Sequence, residues 1–370
     1  MKILVTGGAG FIGSFLVDEL VRRGRQVRIF DNLDSQVHPG GEPPAYLNPE
    51  AEFIRGDVRD SDALRKALEQ QEIVFHEAAA VGMGQSQYRV RHYVDVNACG
   101  TATLLDLLVN HKHSVRKLVV AGSNTSYGEG WCACPRHGAI KPDYRSDEQL
   151  AAGRWEHECP QCGSAMQPIL TPENSPMDCR AIYAITKRIQ EEMVINIGRT
   201  YGFAAVALRY FNVYGPRQSL SNPYTGVFAI FMSRLANGHP PILYEDGRQT
   251  RDFVSVHDIV QANLLAMENE RADYQVFNVG TGIAVPIHQI ARLLAQSYNP
   301  AIEPSITGRY RKGDTRHCTA DIEKIRSVLG YTPSVTLENG VKELVEWSRT
   351  VPAEDRFDIA ERELAERGLA

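Results

Sequence analysis

Thr6-Gly7-Gly8-Ala9-Gly10-Phe11-Ile12-Gly13 joins a short apolar run, Lys2–Thr6, to a helix-permissive segment, Phe11–Arg23. In this setting Gly7 allows a tight turn, Gly10 lets the backbone approach a pyrophosphate, and Gly13 permits close helix–strand packing. The helix N-terminus, with Phe11 and Ile12 in its first turn, offers free N–H groups to an anion. A bare glycine pattern says little. Here the strand before it, the helix after it and Asp31 at the end of the second apolar run all agree with a dinucleotide-binding fingerprint. Asp31, with Asn32 beside it, is placed to accept hydrogen bonds from the adenosine ribose and to repel a 2′-phosphate. The expectation is NAD rather than NADP.

Outward from that stretch, strand and helix alternate. Strands are expected at Lys2–Thr6, Gln26–Asp31, Glu52–Arg55, Glu72–His76, Lys117–Ala121 and Ala204–Tyr210. Helices are expected at Phe11–Arg23, Asp60–Gln70, Tyr88–Asn110 and Ala181–Thr200. Short apolar strands between helices predict a doubly wound α/β Rossmann sheet, covered on both faces. Asp57 and Val58, after the third strand, fit the adenine end of the cofactor. Ala78 and Ala80, after the fourth, are small enough to let the dinucleotide lie flat. Asp60 reads as a helix N-cap. The NAD-binding domain is expected over residues 1–210, with an insertion at about 129–171. A smaller, mainly substrate-binding lobe is expected over 211–350, and a solvated helical tail without chemistry over 351–370.

Tyr183-Ala-Ile-Thr-Lys187 puts a phenol and an ammonium on one helix face. A phenol titrates near about 10 unperturbed, and a neighbouring cation stabilises the phenolate, so the pair suits proton transfer at a ligand hydroxyl. Lys187 can also hold the nicotinamide ribose. Ser123, at the end of the fifth strand, is placed to share a hydrogen bond with the reacting oxygen.

The insertion has its own signature. Cys134-Pro-Arg-His137-Gly and Cys159-Pro-Gln-Cys162-Gly are two matched knuckles, together offering four soft ligands for a structural zinc ribbon. Cys132 is a rival to His137 as the fourth ligand. Cys99, Cys179 and Cys318 stand alone.

The 370 residues are 43% hydrophobic and 23% charged, with net charge −5 and no basic block. Nucleic acid and membrane are therefore not expected as partners. Met1-Lys2 leads directly into the first strand, so no signal peptide is expected. Seven cysteines, most of them candidate metal ligands (Cys132, Cys134, Cys159 and Cys162), point to a reducing cytoplasm rather than a disulfide framework.

The runs TGGAGFIG, GDVRD, HEAAA, DVNACGTATLLD, YAITK, LRYFNVYGPRQ, DGRQTRDFVSVHDIV and FNVGTG resemble the extended short-chain dehydrogenase/reductases of the NAD-dependent sugar epimerase/dehydratase family. The resemblance covers nearly the whole chain outside the insertion. It implies a nucleoside-diphosphate sugar as substrate, Asn97 fixing the cofactor loop, Phe211 against the nicotinamide and Asn212 on the diphosphate. It makes Arg251 and Arg311 diphosphate-binding arginines; for Arg251 an ion pair with Asp252 or Asp258 is the alternative. Ser86 matches a retained substrate serine. The 4,6-dehydratases of the family carry an Asp-Glu pair after the strand-end Ser or Thr; Asn124 and Thr125 stand there instead. No glutamate of the decarboxylase kind is present in that segment. The resemblance thus implies an NDP-sugar 4-epimerase of the UDP-galactose 4-epimerase type, with tightly bound NAD. Net-redox dehydrogenase or reductase turnover is one alternative, and a non-catalytic binding module is a remote one. Gly82, Met83 and Cys318 depart from the family pattern around the sugar. UDP-hexose, UDP-N-acetylhexosamine and dTDP-6-deoxyhexose all stay open. The helices Tyr88–Asn110 and Ala181–Thr200 match those that pair in the family's homodimers.

Overall fold

The computed structural model describes residues 1–311 and 313–369. Seven strands form the central sheet: β1 (Lys2–Thr6), β2 (Gln26–Asp31), β3 (Glu52–Arg55), β4 (Ile73–His76), β5 (Lys117–Ser123), β6 (Ala204–Tyr210) and β7 (Gln275–Val279). Their spatial order is β7-β6-β5-β4-β1-β2-β3, and every pairing is parallel. Successive side chains of a strand point to opposite faces. Ile3, Val5, Ile29, Phe75, Val119 and Val206 therefore enter one apolar core, and Leu4, Phe30, Val74, Leu118, Val120 and Ala205 enter the other. Each fully buried aliphatic side chain contributes about 1.5–3 kcal/mol. Covering both faces is what keeps these strands continuously apolar.

The expected strands sit within two residues of their places. The fifth runs on to Ser123, so that serine ends the strand itself. The expected helix Tyr88–Asn110 is interrupted: α-helix at Val90–Tyr93 passes into a π-helical stretch, Val94–Cys99, and returns to α-helix at Gly100–Asn110. The wider turn re-aims Asn97, which is fully buried. Asp60 caps the helix Ser61–Leu68, accepting from the N–H groups of Asp62 and Ala63.

Two features differ from the expected division of the chain. Strand β7 comes from the second half and closes the sheet against β6, so the nucleotide lobe does not end at residue 210. The tail is not a solvated helix. Phe357, Ala360 and Leu364 of the helix Phe357–Ala365 are buried, and its Glu363 accepts hydrogen bonds from Tyr88 (2.8 Å) and Tyr224 (2.6 Å). The charges of the tail cover a regular apolar spacing, which is why it reads as solvated.

The insertion carries three short antiparallel strands, Cys132–Cys134 between Gly138–Ile140 and Gln167–Pro168. Its own buried cluster is Cys132, Cys134, Cys159 and Met166, with Ile140 and Cys162 packed against it. So small a core cannot offset the entropy of ordering the loop. Ion pairs bolt it to the second lobe: Arg145 of the insertion to Glu245 (2.9 Å), and Arg316 to Glu156 of the insertion (2.5 Å). His317 bonds Glu156 of the insertion at 2.8 Å.

Candidate functional site

A cleft of about 500 Å³ runs along the C-terminal ends of β1, β2, β4 and β5, the usual ligand position in such a sheet. Gly7, Gly10, Phe11, Ile12 and Gly13 form its floor. Gly7 has φ +70°, and a Cβ on Gly13 would come within 2.3 Å of the Gly7 carbonyl. Only glycine fits both positions, and the bare backbone is left facing the cleft. Asp31 lines the next stretch. Its two oxygens accept from the N–H groups of Ala9 (3.1 Å) and Leu33 (2.9 Å), which fixes the carboxylate before any ribose arrives. Asn32 donates to Asp57 at 2.9 Å, and Arg59 beside Asp57 holds that carboxyl well below the usual carboxylate range. Val58, Ala78 and Ala80 complete this wall. Asn97 lies behind it rather than in it. Its amide clasps the Ala80 backbone from both sides (2.8 and 3.1 Å) and bonds the Thr186 hydroxyl at 3.0 Å.

Ser123, Tyr183 and Lys187 converge at the inner end of the cleft. The strand end presents Ser123, whose Oγ lies 2.9 Å from Thr125 Oγ1. The helix Ile182–Tyr201 presents Tyr183 and Lys187 one turn apart. Burial pushes the Tyr183 phenol up to about 12, with a hydrogen bond from Ser123 opposing it. Burial also draws the Lys187 ammonium down from the usual lysine range, and the carboxylate of Glu77 opposes that shift. Glu77 itself is pushed up by burial; it accepts the Tyr210 hydroxyl at 2.8 Å. The Tyr93 ring packs edge-on against Tyr183, centroids 6.4 Å apart. A phenol, an ammonium and a hydroxyl so arranged can take and return a proton at one ligand oxygen.

Phe211 and Asn212 also line the cleft, and Asn212 Oδ1 is buried without a partner among the described residues. The other residues expected at the substrate lie elsewhere. Ser86 is fully buried and its hydroxyl donates to the Met83 carbonyl at 2.7 Å; Met83 and Gln85 face the cleft in its stead. Arg251 is outside the cleft walls, donating to the carbonyls of Thr250, Thr315 and Arg316 and lying 3.4 Å from Asp314. It pairs with neither Asp252, which holds Thr281 and Gly282, nor Asp258, which holds Ser334. Arg311 stacks on Tyr244, 4.4 Å from the ring centroid, with Nε buried and unpartnered among the described residues. Cys318 is buried beside strand Thr250–Arg251, under Gly130 at the base of the insertion. Sequence reasoning passed over Glu77, Tyr93, Gln218, Asn222 and Tyr224, all of which face the cleft. Glu77 stands inside the HEAAA run, where attention to the small residues hid the carboxylate. Tyr93 and Tyr224 carry no local motif.

The pattern of the NAD dependent epimerase/dehydratase family matches residues 3–147 and 159–280. The chain belongs to that family. The segment skipped by the family match falls within the insertion. A dTDP-L-rhamnose 4-epimerase of Burkholderia thailandensis is 37% identical over 353 residues, covering 94% of each chain. Among solved structures, UDP-glucose 4-epimerase of Thermotoga maritima, with UDP-glucose, aligns with a TM-score of 0.75 and 32% identity over 95% of this chain and 99% of its own. UDP-glucuronic acid 4-epimerase of Bacillus cereus, with UDP-glucuronic acid and NAD, aligns with a TM-score of 0.75 and 26% identity over 95% and 99%. No helix among the described residues of this family member is long and apolar enough to cross a membrane.

A second cluster lies in the insertion. The ligand atoms of Cys134, His137, Cys159 and Cys162 all fall within 4.8 Å of one another. Cys134 Sγ is 3.6 Å from Cys162 Sγ and 3.5 Å from His137 Nδ1, and His137 Nδ1 is 3.3 Å from Cys159 Sγ. A tetrahedron with metal–sulfur bonds of about 2.3 Å has edges of about 3.8 Å, so the set fits a zinc-sized ion. Each knuckle ends on a left-handed glycine, Gly138 (φ +73°) or Gly163 (φ +69°), which turns the loop back on its ligands. Cys132 is outside the set; its thiol is buried in the strand and pushed up to about 12.

Proposed function

We propose that this protein is an NAD-dependent nucleoside-diphosphate-sugar 4-epimerase. The observation that carries the reading is the convergence of Ser123, Tyr183 and Lys187 at the inner end of a dinucleotide-shaped cleft, with Asn124 and Thr125 beside them. Neither an amide nor a hydroxyl can serve as the acid–base pair of a dehydration. NAD, held by the glycine turn Gly7–Gly13, Asp31 and Lys187, would supply reversible hydride chemistry at C4. The Tyr183 phenolate takes the C4 hydroxyl proton, leaving a 4-keto sugar, and the same phenol gives the proton back after the sugar has turned about its diphosphate. Lys187 stabilises the phenolate by charge, and Ser123 orients the oxygen that loses and regains the proton. Asp31 selects NAD by its fixed carboxylate. Asn212, whose Oδ1 is unpartnered among the described residues, is a polar group in the cleft for the substrate, and the diphosphate is assigned to Arg251 and Arg311, which stand outside the cleft walls.

Met83 and Gly82 form the sugar-side wall, and an apolar Met suits a sugar whose C6 is a methyl group. The likeness to a dTDP-L-rhamnose 4-epimerase supports the same class. The insertion holds one structural Zn²⁺ through Cys134, His137, Cys159 and Cys162, four protein ligands that leave no open position. The test is to incubate purified protein with a panel of UDP- and dTDP-sugars. Inversion at C4 without net change in NADH absorbance is expected; stoichiometric NADH production or consumption would instead establish a dehydrogenase or reductase.

A further inference from the structure

The helix Phe357–Ala365 is tied to both lobes by its side chains. On the nucleotide-lobe side, the Glu363 carboxylate accepts from the Tyr88 hydroxyl, Arg367 lies 4.4 Å over the Tyr88 ring, and Leu364 packs against Gly84. On the other side Arg234 sits 4.7 Å over the Phe357 ring and pairs with Asp355. One carboxylate of this helix reaches a residue that lines the cleft, and a second reaches the Tyr244–Arg311 pair outside the cleft walls. Glu363 accepts the hydroxyl of Tyr224 (2.6 Å), which lines the cleft. Tyr224 and the Tyr93 hydroxyl both crowd Gly82, so close that a Cβ there would lie 3.0 Å and 2.8 Å from them. Tyr93 in turn packs on Tyr183. Glu361 accepts the hydroxyl of Tyr244 (2.7 Å), the same hydroxyl that accepts from Arg311 (3.0 Å) while its ring carries the Arg311 guanidinium.

We propose that Glu361 and Glu363 are positioning residues: Glu363 sets the sugar end of the site through Tyr224 and Gly82, and Glu361 sets the diphosphate end through Tyr244 and Arg311. The inference rests on the reading of the cleft as a nucleotide-sugar site and of Arg311 as a cation for its diphosphate. Neither carboxylate touches the cleft, so neither transfers a proton. Each fixes a tyrosine that otherwise has two or more rotamers to choose from.

The two arms separate experimentally. Binding of UDP and dTDP, which have the diphosphate but no sugar, is measured by calorimetry on the NAD-loaded full chain of wild type, Glu361→Ala and Glu363→Ala. Glu361→Ala is expected to weaken the nucleotide about tenfold, the scale of one charge-assisted hydrogen bond, while Glu363→Ala leaves it within about twofold. With the turned-over sugar nucleotide, Glu363→Ala raises KM about tenfold at nearly constant kcat, and Glu363→Gln, which still offers an acceptor, restores most of it. Equal loss of nucleotide affinity in both variants would overturn the division into arms. A fall in kcat without a rise in KM, or no rescue by Gln, would reduce Glu363 to a fold-stabilising contact. If an alanine variant fails to fold, Tyr244→Phe and Tyr224→Phe, which remove the hydroxyls the two carboxylates hold, give the same comparison. The nucleotide arm needs no turnover, so a failure to find any epimerised sugar would leave it standing as a separate result.

Discussion

Tyr183 is the residue on which the chemistry turns, and its surroundings set the pH at which it works. Burial alone would hold it as a phenol at neutral pH. The hydrogen bond from Ser123 opposes burial, and the cation available to support the phenolate is the Lys187 ammonium one turn away, itself drawn down by burial and held up by Glu77. As pH rises through the depressed Lys187 value, the cation is lost and the phenolate loses its support. Activity is therefore expected to fall on an alkaline limb placed below the ordinary lysine value of about 10.4. Glu77→Gln removes the carboxylate that raises Lys187, so the limb should move to still lower pH. A kcat/KM profile of the variant with an unmoved limb, or one displaced upward, would reject the pairing. Tyr183→Phe should fold, retain NAD and lose about two to four orders of magnitude in turnover, the span of a general acid–base group. Near-normal turnover in that variant would move the proton to another group, with Thr125 next in line beside Ser123. Legibility at this scale followed local spacing. Tyr183 and Lys187 are readable because i and i+4 share a helix face. Glu77 and Tyr93 were not, because their importance lies in contacts to Tyr210 and Tyr183 across more than eighty residues.

At the scale of elements, the strands and the first helix were legible because each carries its own pattern, a short apolar run or a glycine turn followed by a helix. Two elements were hidden for a physical reason. The π-helical stretch Val94–Cys99 depends on Asn97 finding Ala80 and Thr186, partners supplied by other elements. Strand β7 has an ordinary strand sequence, and nothing local says that it joins the first sheet. The insertion is the opposite case. Its two knuckles announce four ligands, and the structure brings those four together while leaving Cys132 in its strand. Because the insertion has almost no apolar core, its order should depend on metal. His137→Ala is expected to lose most bound zinc, and Cys132→Ala to keep it, by elemental analysis of the purified proteins. Equal retention, or none in wild type, would reject the ligand set. Chelation should loosen the insertion first, read as faster hydrogen exchange over Cys132–Pro168. It should then weaken substrate binding through Arg251, whose partners Arg316 and Asp314 are tied to the ribbon by Glu156 and Arg145.

At the scale of the whole molecule, the sheet positions the cleft, residues of the second lobe such as Gln218, Asn222 and Tyr224 line it from the other side, and one face is left apolar without a function inside the monomer. That face belongs to the helical segment Val90–Asn110 and to Ile182–Tyr201, which pack side by side. Val90, Val94 and Ile185 on it are 43%, 36% and 40% exposed, while the charges around them are engaged along their own helices, Arg91 with Asp95 and Arg188 with Glu192. Apolar residues rimmed by locally satisfied charges are what a protein–protein surface looks like before it is covered. Two copies related by a two-fold axis would bring the same two helices of each together as a four-helix bundle, an isologous arrangement that closes on itself. We therefore expect a homodimer. The interface lies directly behind the active-site helix, since Ile185 is two residues from Tyr183 and Lys187, so dimerisation should also stiffen the catalytic pair. Val94→Asp with Ile185→Asp places two like charges in the seam and should give a monomer in sedimentation at micromolar concentration, with NAD still bound and turnover reduced. Wild type sedimenting as a monomer would refute the arrangement, and a charged double variant that stays dimeric would move the interface to another face.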